Sequence, residues 1–441
     1  PAQAAPRADV AAPAAPGRAE RRGLAAILLG AAALRLPGFT APLDLLEWSY
    51  GPGTSRVRTG DETAWADLLD AVLHPACLEL VHPPLWHLLM QGLDLVGGGR
   101  EWLLRAPALA ASVATCWAVW LLARRHRPAT GLLAAAACAV ATPAVEFGRD
   151  ATPYAFLGLV AAGSLVLLLR ALQLGTPRAW ALWLGLLVLG FLSHYATALF
   201  AGAQILILLY LWLVGRDPRW RGAAIQALRV GPVVGSPALA WTFLHFANFS
   251  PVALDTRLYA DTYPLDPGLI AFVSDFGAVG LGVAPVFGVF ALPAAVLVLW
   301  GLQRAAFDDR QLGLALAAIV GAFAGGTLFF YANLLQSLDG RVFWGFRWVS
   351  WFLPVAMVLG AWGVMASQGL GRVVAAVLGL GWLWGTGSTA IAPAAASTHP
   401  DFRAAAQTIA EQLEDRDGLV ALPMWAQRGP VRTYLARALD G

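Results

Sequence analysis

Lysine is absent from this 441-residue chain, so all 30 basic residues are arginine, and charged side chains of both signs make up only 13% of it. An ordinary water-soluble domain carries about twice that share. A net charge of +3, with no basic stripe, gives no footprint of a nucleic-acid partner. Cysteine is nearly missing too: of Cys77, Cys116 and Cys138, the last two fall in apolar runs and the first has no partner nearby, which argues against a disulfide framework. Short alternating strands of the outer-membrane barrel type are also not found. What remains is 58% hydrophobic sequence with a mean hydropathy of +0.63. Such a chain belongs in a bilayer.

Apolar stretches of about 20 residues, enough to cross the hydrocarbon as a helix, recur along the chain. Helices are expected near 23–39, 103–123, 130–147, 154–169, 179–192, 197–214, 230–247, 281–302, 312–331, 348–366 and 373–389. The fold class is therefore an all-α polytopic membrane protein of about eleven spans. Residues 1–22, rich in Ala and Pro, read as a disordered cytoplasmic tail. Residues 23–389 form the membrane domain, with a long first outer loop at 40–102 and a second at 248–280. Residues 390–441 read as a small outer α/β segment that looks incomplete as a fold.

Arginines set the orientation, because they stay with short cytoplasmic loops. Arg21 and Arg22, then Arg124, Arg125 and Arg127, Arg170 and Arg178, Arg216, Arg219 and Arg221, Arg304 and Arg310, and Arg372 fall on alternate loops. The N-terminus is thus cytoplasmic and the C-terminus outside. The outer face then collects the first loop and the turns holding Arg149 with Asp150, His194 and Arg341.

Within that first loop, Asp61, Glu62, Asp67, Asp70, Glu79, Asp94 and Glu101 contrast with later helices nearly free of carboxylates. The same loop holds Val81-His82-Pro83-Pro84-Leu85-Trp86-His87, where the paired prolines suggest a stiff platform above the membrane. In order, Asp61-Glu62, His82-Pro83-Pro84-Leu85, Leu104-Arg105-Ala106-Pro107, Gly148-Arg149-Asp150-Ala151-Thr152-Pro153-Tyr154, His194-Tyr195 and Phe346-Arg347-Trp348 resemble motifs of one family. It is that of the polytopic GT-C glycosyltransferases of the protein O-mannosyltransferase and aminoarabinose-transferase type. Asp401-Phe402-Arg403-Ala404-Ala405 is similar to the start of that family's outer C-terminal domain. Two departures stand out. Thr152 occupies a position where arginine is usual, and a long spacer before Asp61 makes Asp44 and Glu47 rivals for the acidic role.

The resemblance implies sugar transfer from a polyprenyl-phosphate donor to a lipid, glycan or protein acceptor, at the outer side of a bacterial inner membrane. Transfer of this kind needs a base for the acceptor hydroxyl and cations for the departing phosphate. The resemblance gives Asp61 the base role, with inversion at the anomeric carbon, and Glu62 the orienting role, with Asp44 and Glu47 as alternates. The resemblance also implies that Arg105, Arg149, Arg341 and Arg347, with His82, Asp150, Tyr154 and His194, bind substrate and phosphate. Some relatives use a divalent metal, for which Glu62, His82 and His194 are the candidate ligands.

Plainer readings stand beside these. The acidic run Asp61 to Asp70 also suits the solvated face of an amphipathic helix, Arg105 suits a helix-end cap or a snorkelling role, and His87 suits an interfacial structural position. Transport is a second class, hinted at by possible helix breaks at Gly231-Pro232 and Gly235-Ser236-Pro237. A non-catalytic subunit of the same fold is a third.

Overall fold

The computed structural model describes residues 15–40, 83–97, 100–213, 218–247, 280–281, 291–336, 350–387 and 408. Among them are thirteen helices and no strand: α1 Arg18–Arg35, α2 Pro84–Gly97, α3 Glu101–Ala123, α4 Pro128–Val140, α5 Thr142–Arg149, α6 Tyr154–Leu174, α7 Pro177–Ser193, α8 Thr197–Leu213, α9 Pro218–Ala247, α10 Ala291–Asp308, α11 Arg310–Gln336, α12 Leu353–Ala366 and α13 Gly369–Gly387. By length and hydropathy, α3 and α6 each suffice to cross a membrane, and α4 with α5 makes a third crossing if read as one bent span. Helices α7 and α8 and residues 312–327, 350–366 and 369–385 are shorter apolar helices.

Each expected span overlaps a helix, and the differences have identifiable causes. Helix α1 begins at Arg18, so the expected tail of 1–22 ends in helix. Glu20 stands in the first turn, where a carboxylate suits the helix dipole, and it accepts from Arg124 Nε at 2.9 Å. Helix α9 runs through both expected break points. Pro237 cannot donate to the carbonyl of Val233, but Ser236 Oγ donates to that oxygen at 2.8 Å and the helix continues. The break falls instead inside the single span expected over 130–147. There Ala141 is extended at φ −62° and ψ 122°, and α4 and α5 meet with a bend of 58°. Pro143 explains it, since its ring excludes the hydrogen bond to the Ala139 carbonyl.

A continuous apolar core runs through the bundle, with Val119, Leu157, Leu165, Phe200, Trp351, Val355 and Trp362 buried in it. Helices α10 and α12 come closest where Gly301 faces Leu359 and Gly363. A Cβ on Gly301 would overlap the Leu359 carbonyl. Small residues allow such backbone approach in an apolar medium, where dispersion must supply much of the attraction.

The arginine-rich end is closed by ionic contacts. Arg125 donates to Asp309 Oδ2 at 2.7 Å, tying the α3–α4 turn to the α10–α11 turn. His126 stacks on Trp362 at 5.0 Å between ring centroids. Its Nδ1 lies 3.2 Å from Asp308 Oδ2, which also accepts from Trp362 Nε1 at 3.0 Å. Burial holds the His126 pKa below 6.5, aided by Arg127 and only partly offset by Asp308.

Two predictions follow from this packing. Gly301→Val should lower the thermal midpoint in detergent by an overpacking cost of about 1–3 kcal/mol, while Gly321→Ala, whose added Cβ would meet nothing within 4 Å, should leave it nearly unchanged. The depressed His126 pKa means that the unfolded chain binds more protons below pH 6.5. The contribution of this residue to stability is therefore present above pH 6.5 and lost as pH falls towards the folded-state pKa. A thermal midpoint followed from pH 7.5 downward should fall less steeply in His126→Gln than in the wild type.

Candidate functional site

At the end of the bundle opposite the arginine cluster, three of the sequence motifs meet in a small second core, which a fourth reaches through the contact of His194 with Tyr154. It contains Trp86 and Met90 of α2, Leu104, Ala108 and Ala111 of α3, Phe147 of α5, Ala151 in the following turn, and Tyr154 and Ala155 of α6. Helix α2 is a correction to the expected stiff loop. Proline is well suited to a first helical turn, where no backbone donor is needed, and Pro84 opens the helix. Trp86 is then drawn inward, 2% exposed, and its Nε1 donates to the Ala151 carbonyl at 3.1 Å. The His-Pro-Pro-Leu segment is thereby joined to the Arg149–Tyr154 turn. His87, Gln91 and Asp94, spaced at i, i+4 and i+7, share one buried face of α2. Read as a loop, the segment hides this polar stripe, whereas a helical period makes it visible.

Arg105 is 4% exposed, and its Nη1 donates to the carbonyls of Gly38 and Phe39 at 3.1 and 3.2 Å. It holds the backbone just beyond the end of α1, where the long first loop is expected to begin. Arg149, half-buried at the end of α5, donates through Nη2 to the Leu34 carbonyl at 2.6 Å. Asp150 follows in extended conformation as the C-cap of α5. Pro153, at φ −73°, precedes the first residue of α6, Tyr154. Thr152, at the position where arginine was expected, is fully buried in this turn.

Tyr154 lies against His194, with ring centroids 5.5 Å apart, and on its other side against Phe147 at 5.3 Å. His194 ends α7 in extended conformation at φ −162° and ψ 129°. Its ring is fully buried, and Nδ1 accepts from the Ala196 backbone N–H at 3.1 Å. A neutral imidazole held this way carries its proton on Nε2 and presents a donor there. Metal ligation through Nε2 needs the proton on Nδ1, which the Ala196 N–H opposes. The geometry suits His194 to donating from Nε2 to an oxygen. Among the described residues, no three His, Cys, Asp or Glu side chains gather as a ligand group.

The structure thus brings Arg105, Arg149, Asp150, Tyr154 and His194 to one end of the bundle. Asp44, Glu47, Asp61, Glu62, His82, Arg341 and Arg347 lie outside the described residues, as do the second outer loop up to residue 279 and, apart from residue 408, the expected α/β segment. Sequence reading passed over Arg35 and Ser112. The signal was there for Arg35, an ionisable residue inside an expected apolar span.

Known proteins point the same way. Residues 81–241 match the family described as dolichyl-phosphate-mannose-protein mannosyltransferase. No curated protein matches the chain. Among solved structures, the ArnT enzyme of Cupriavidus metallidurans in its apo state aligns with a TM-score of 0.57 at 13% identity, covering 94% of this chain and 84% of that one. The same enzyme bound to undecaprenyl phosphate aligns at 0.55 with 14% identity, again over 94% and 84%. The archaeal oligosaccharyltransferase AglB of Archaeoglobus fulgidus, in complex with an inhibitory peptide and a dolichol-phosphate, aligns at 0.55 with 12% identity over 90% of this chain. This chain spans 58% of that archaeal protein's length. Residues 81–241 are thus similar to the mannosyltransferase family, and the chain as a whole is a membrane protein with the GT-C fold of these enzymes.

Proposed function

We propose that this protein is a multi-pass glycosyltransferase of the bacterial inner membrane that moves a sugar from a polyprenyl-phosphate donor to an acceptor on the outer face. The observation that carries the reading is the convergence at one end of the bundle of Trp86, Leu104, Ala151, Tyr154 and His194. Each comes from a different motif segment except Ala151 and Tyr154, which share one. Residues far apart in sequence would have no reason to meet at the entrance to the acid-rich loop if the motifs were chance matches. The clustering of arginines at the other end supports a cytoplasmic N-terminus. A structural neighbour with bound undecaprenyl phosphate supports a carrier of that chemistry.

In the proposed reaction, Asp61 takes the proton of the acceptor hydroxyl as its oxygen attacks the anomeric carbon. The bond from that carbon to the phosphate oxygen breaks on the opposite side, which inverts the centre, and polyprenyl phosphate leaves. Glu62 orients the acceptor, and Asp44 and Glu47 are the alternates for the base. Arg341 and Arg347 bind the phosphate through the guanidinium fork, which matches two oxygens at once. The Nε2–H of His194 adds a neutral donor, Tyr154 buttresses its ring, and His82 and Asp150 have the role of further substrate-binding groups. Arg149 stands at the rim, while the carbonyl contacts of Arg105 favour an anchoring role at the root of the loop.

Sugar transfer from a panel of radiolabelled polyprenyl-phosphate sugars, using membranes with wild type, Asp61→Asn, Glu62→Gln and Asp44→Asn, tests the reading. Wild type should release polyprenyl phosphate, and Asp61→Asn should lose about a hundredfold or more in rate, as removal of a general base does. Loss confined to Asp44→Asn would move the base. Binding of undecaprenyl phosphate without consumption of any donor would instead favour a non-catalytic subunit. His194→Ala should weaken binding of undecaprenyl phosphate about tenfold, as loss of one hydrogen bond to a charged partner does. Added zinc should not alter that result.

A further inference from the structure

Arg35 has no part in the transfer chemistry just described, yet it is fully buried at the end of a helix whose neighbours are apolar. A guanidinium in such surroundings persists only where oxygens are supplied. Its Nε donates to Ser112 Oγ at 2.7 Å, and its Nη1 donates to the Ala31 carbonyl at 2.7 Å and the Ala139 carbonyl at 3.0 Å. The last acceptor is the one that Pro143 leaves open, four residues back from the proline nitrogen. The relay continues, because Ser112 Oγ donates to the Ala144 carbonyl at 2.7 Å. One side chain thus reaches both sides of the α4–α5 break.

The fit is close on the far side as well. A Cβ on Gly148 would come within 2.8 Å of Arg35 Nε and 2.9 Å of Ser112 Cβ, so only glycine lets the guanidinium pass. The next residue, Arg149, donates back to Leu34, the residue before Arg35. Helices α1 and α5 are therefore held together by the packing of Arg35 against Gly148 and by the hydrogen bond of Arg149 to Leu34, within two residues on each helix. The bend aims the end of α5, and with it Arg149, Asp150 and the turn into Tyr154, at the outer site.

We propose that Arg35 is a positioning residue: it locks the Pro143 break open and thereby holds Arg149 and the Tyr154–His194 pair in register for the carrier phosphate. The role in phosphate binding rests on the transferase reading, whereas the clamp on the break does not. A purely structural filler would satisfy the Ala139 carbonyl and nothing more. Pro143→Ala separates the two, because it returns an amide donor to that carbonyl while straightening the helix.

The experiment compares Arg35→Met, Ser112→Ala, Pro143→Ala and the Arg35→Met/Pro143→Ala double variant in lipid nanodiscs. It reads thermal midpoint, hydrogen exchange of amides 142–150 and binding of undecaprenyl phosphate. Arg35→Met should lower the midpoint and speed exchange over 142–150 about tenfold, and Ser112→Ala should speed the same exchange with a smaller loss of midpoint. The double variant should regain the midpoint yet bind undecaprenyl phosphate about tenfold more weakly than wild type. Recovery of both midpoint and binding in the double variant overturns the proposal. So does unchanged exchange over 142–150 in Ser112→Ala. If wild type itself does not bind the probe, the transferase reading fails at the carrier, and the exchange data still decide whether Arg35 clamps the break.

Discussion

A charged group inside an apolar bundle has to be supplied with oxygen atoms, and the half of this protein away from its arginine-rich end is organised around that requirement. Helical backbone normally has none to offer, since each carbonyl already accepts from the amide four residues on. Pro143 releases one, at Ala139, and Arg35 takes it. The exchange has directional consequences. A helix that would have run straight through 130–147 is bent by 58°, Ser112 is recruited to the second half, and the segment from Arg149 to Tyr154 is turned across the end of the bundle. The contrast with Pro237 is instructive. There the freed carbonyl is taken by the adjacent Ser236, the repair is local, and the helix remains continuous.

The two ends of the bundle solve different problems with similar residues. At the arginine-rich end, carboxylates answer the guanidinium groups directly, as in Arg124 with Glu20 and Arg125 with Asp309. The second pair links turns that belong to the first and second halves of the chain. At the opposite end, Arg35, Arg105 and Arg149 donate to neutral oxygens, most of them backbone carbonyls. Between the ends, one buried polar chain is paired within the apolar layer, where Trp183 donates to Gln204 and Gln204 to Ser164. An unpaired group there would cost several kcal/mol.

Hydropathy located the helices because burial in lipid or in an apolar core leaves the same mark on composition. It misplaced their ends at Arg18 and Pro218, where polar or proline-bearing turns continue a helix beyond its apolar part. It could not see the break at Ala141, because Ala and Val read alike in a straight helix and in one bent by a proline near its middle. Proline itself was ambiguous: Pro84 opens a helix, Pro143 divides one and Pro237 does neither.

The order of the motifs along the chain, the class of fold and the residue types suited to phosphate and proton transfer were determined by the sequence alone, since each depends on local chemistry or on an apolar average. Which of those residues stand together, and by which atoms, was decided by tertiary structure. His194 became a donor through the Ala196 amide, Arg105 an anchor through Gly38 and Phe39, and Arg35 a clamp through a carbonyl 104 positions away. A hydrogen bond between distant segments depends on where the backbone has been brought. No periodicity in one dimension records that.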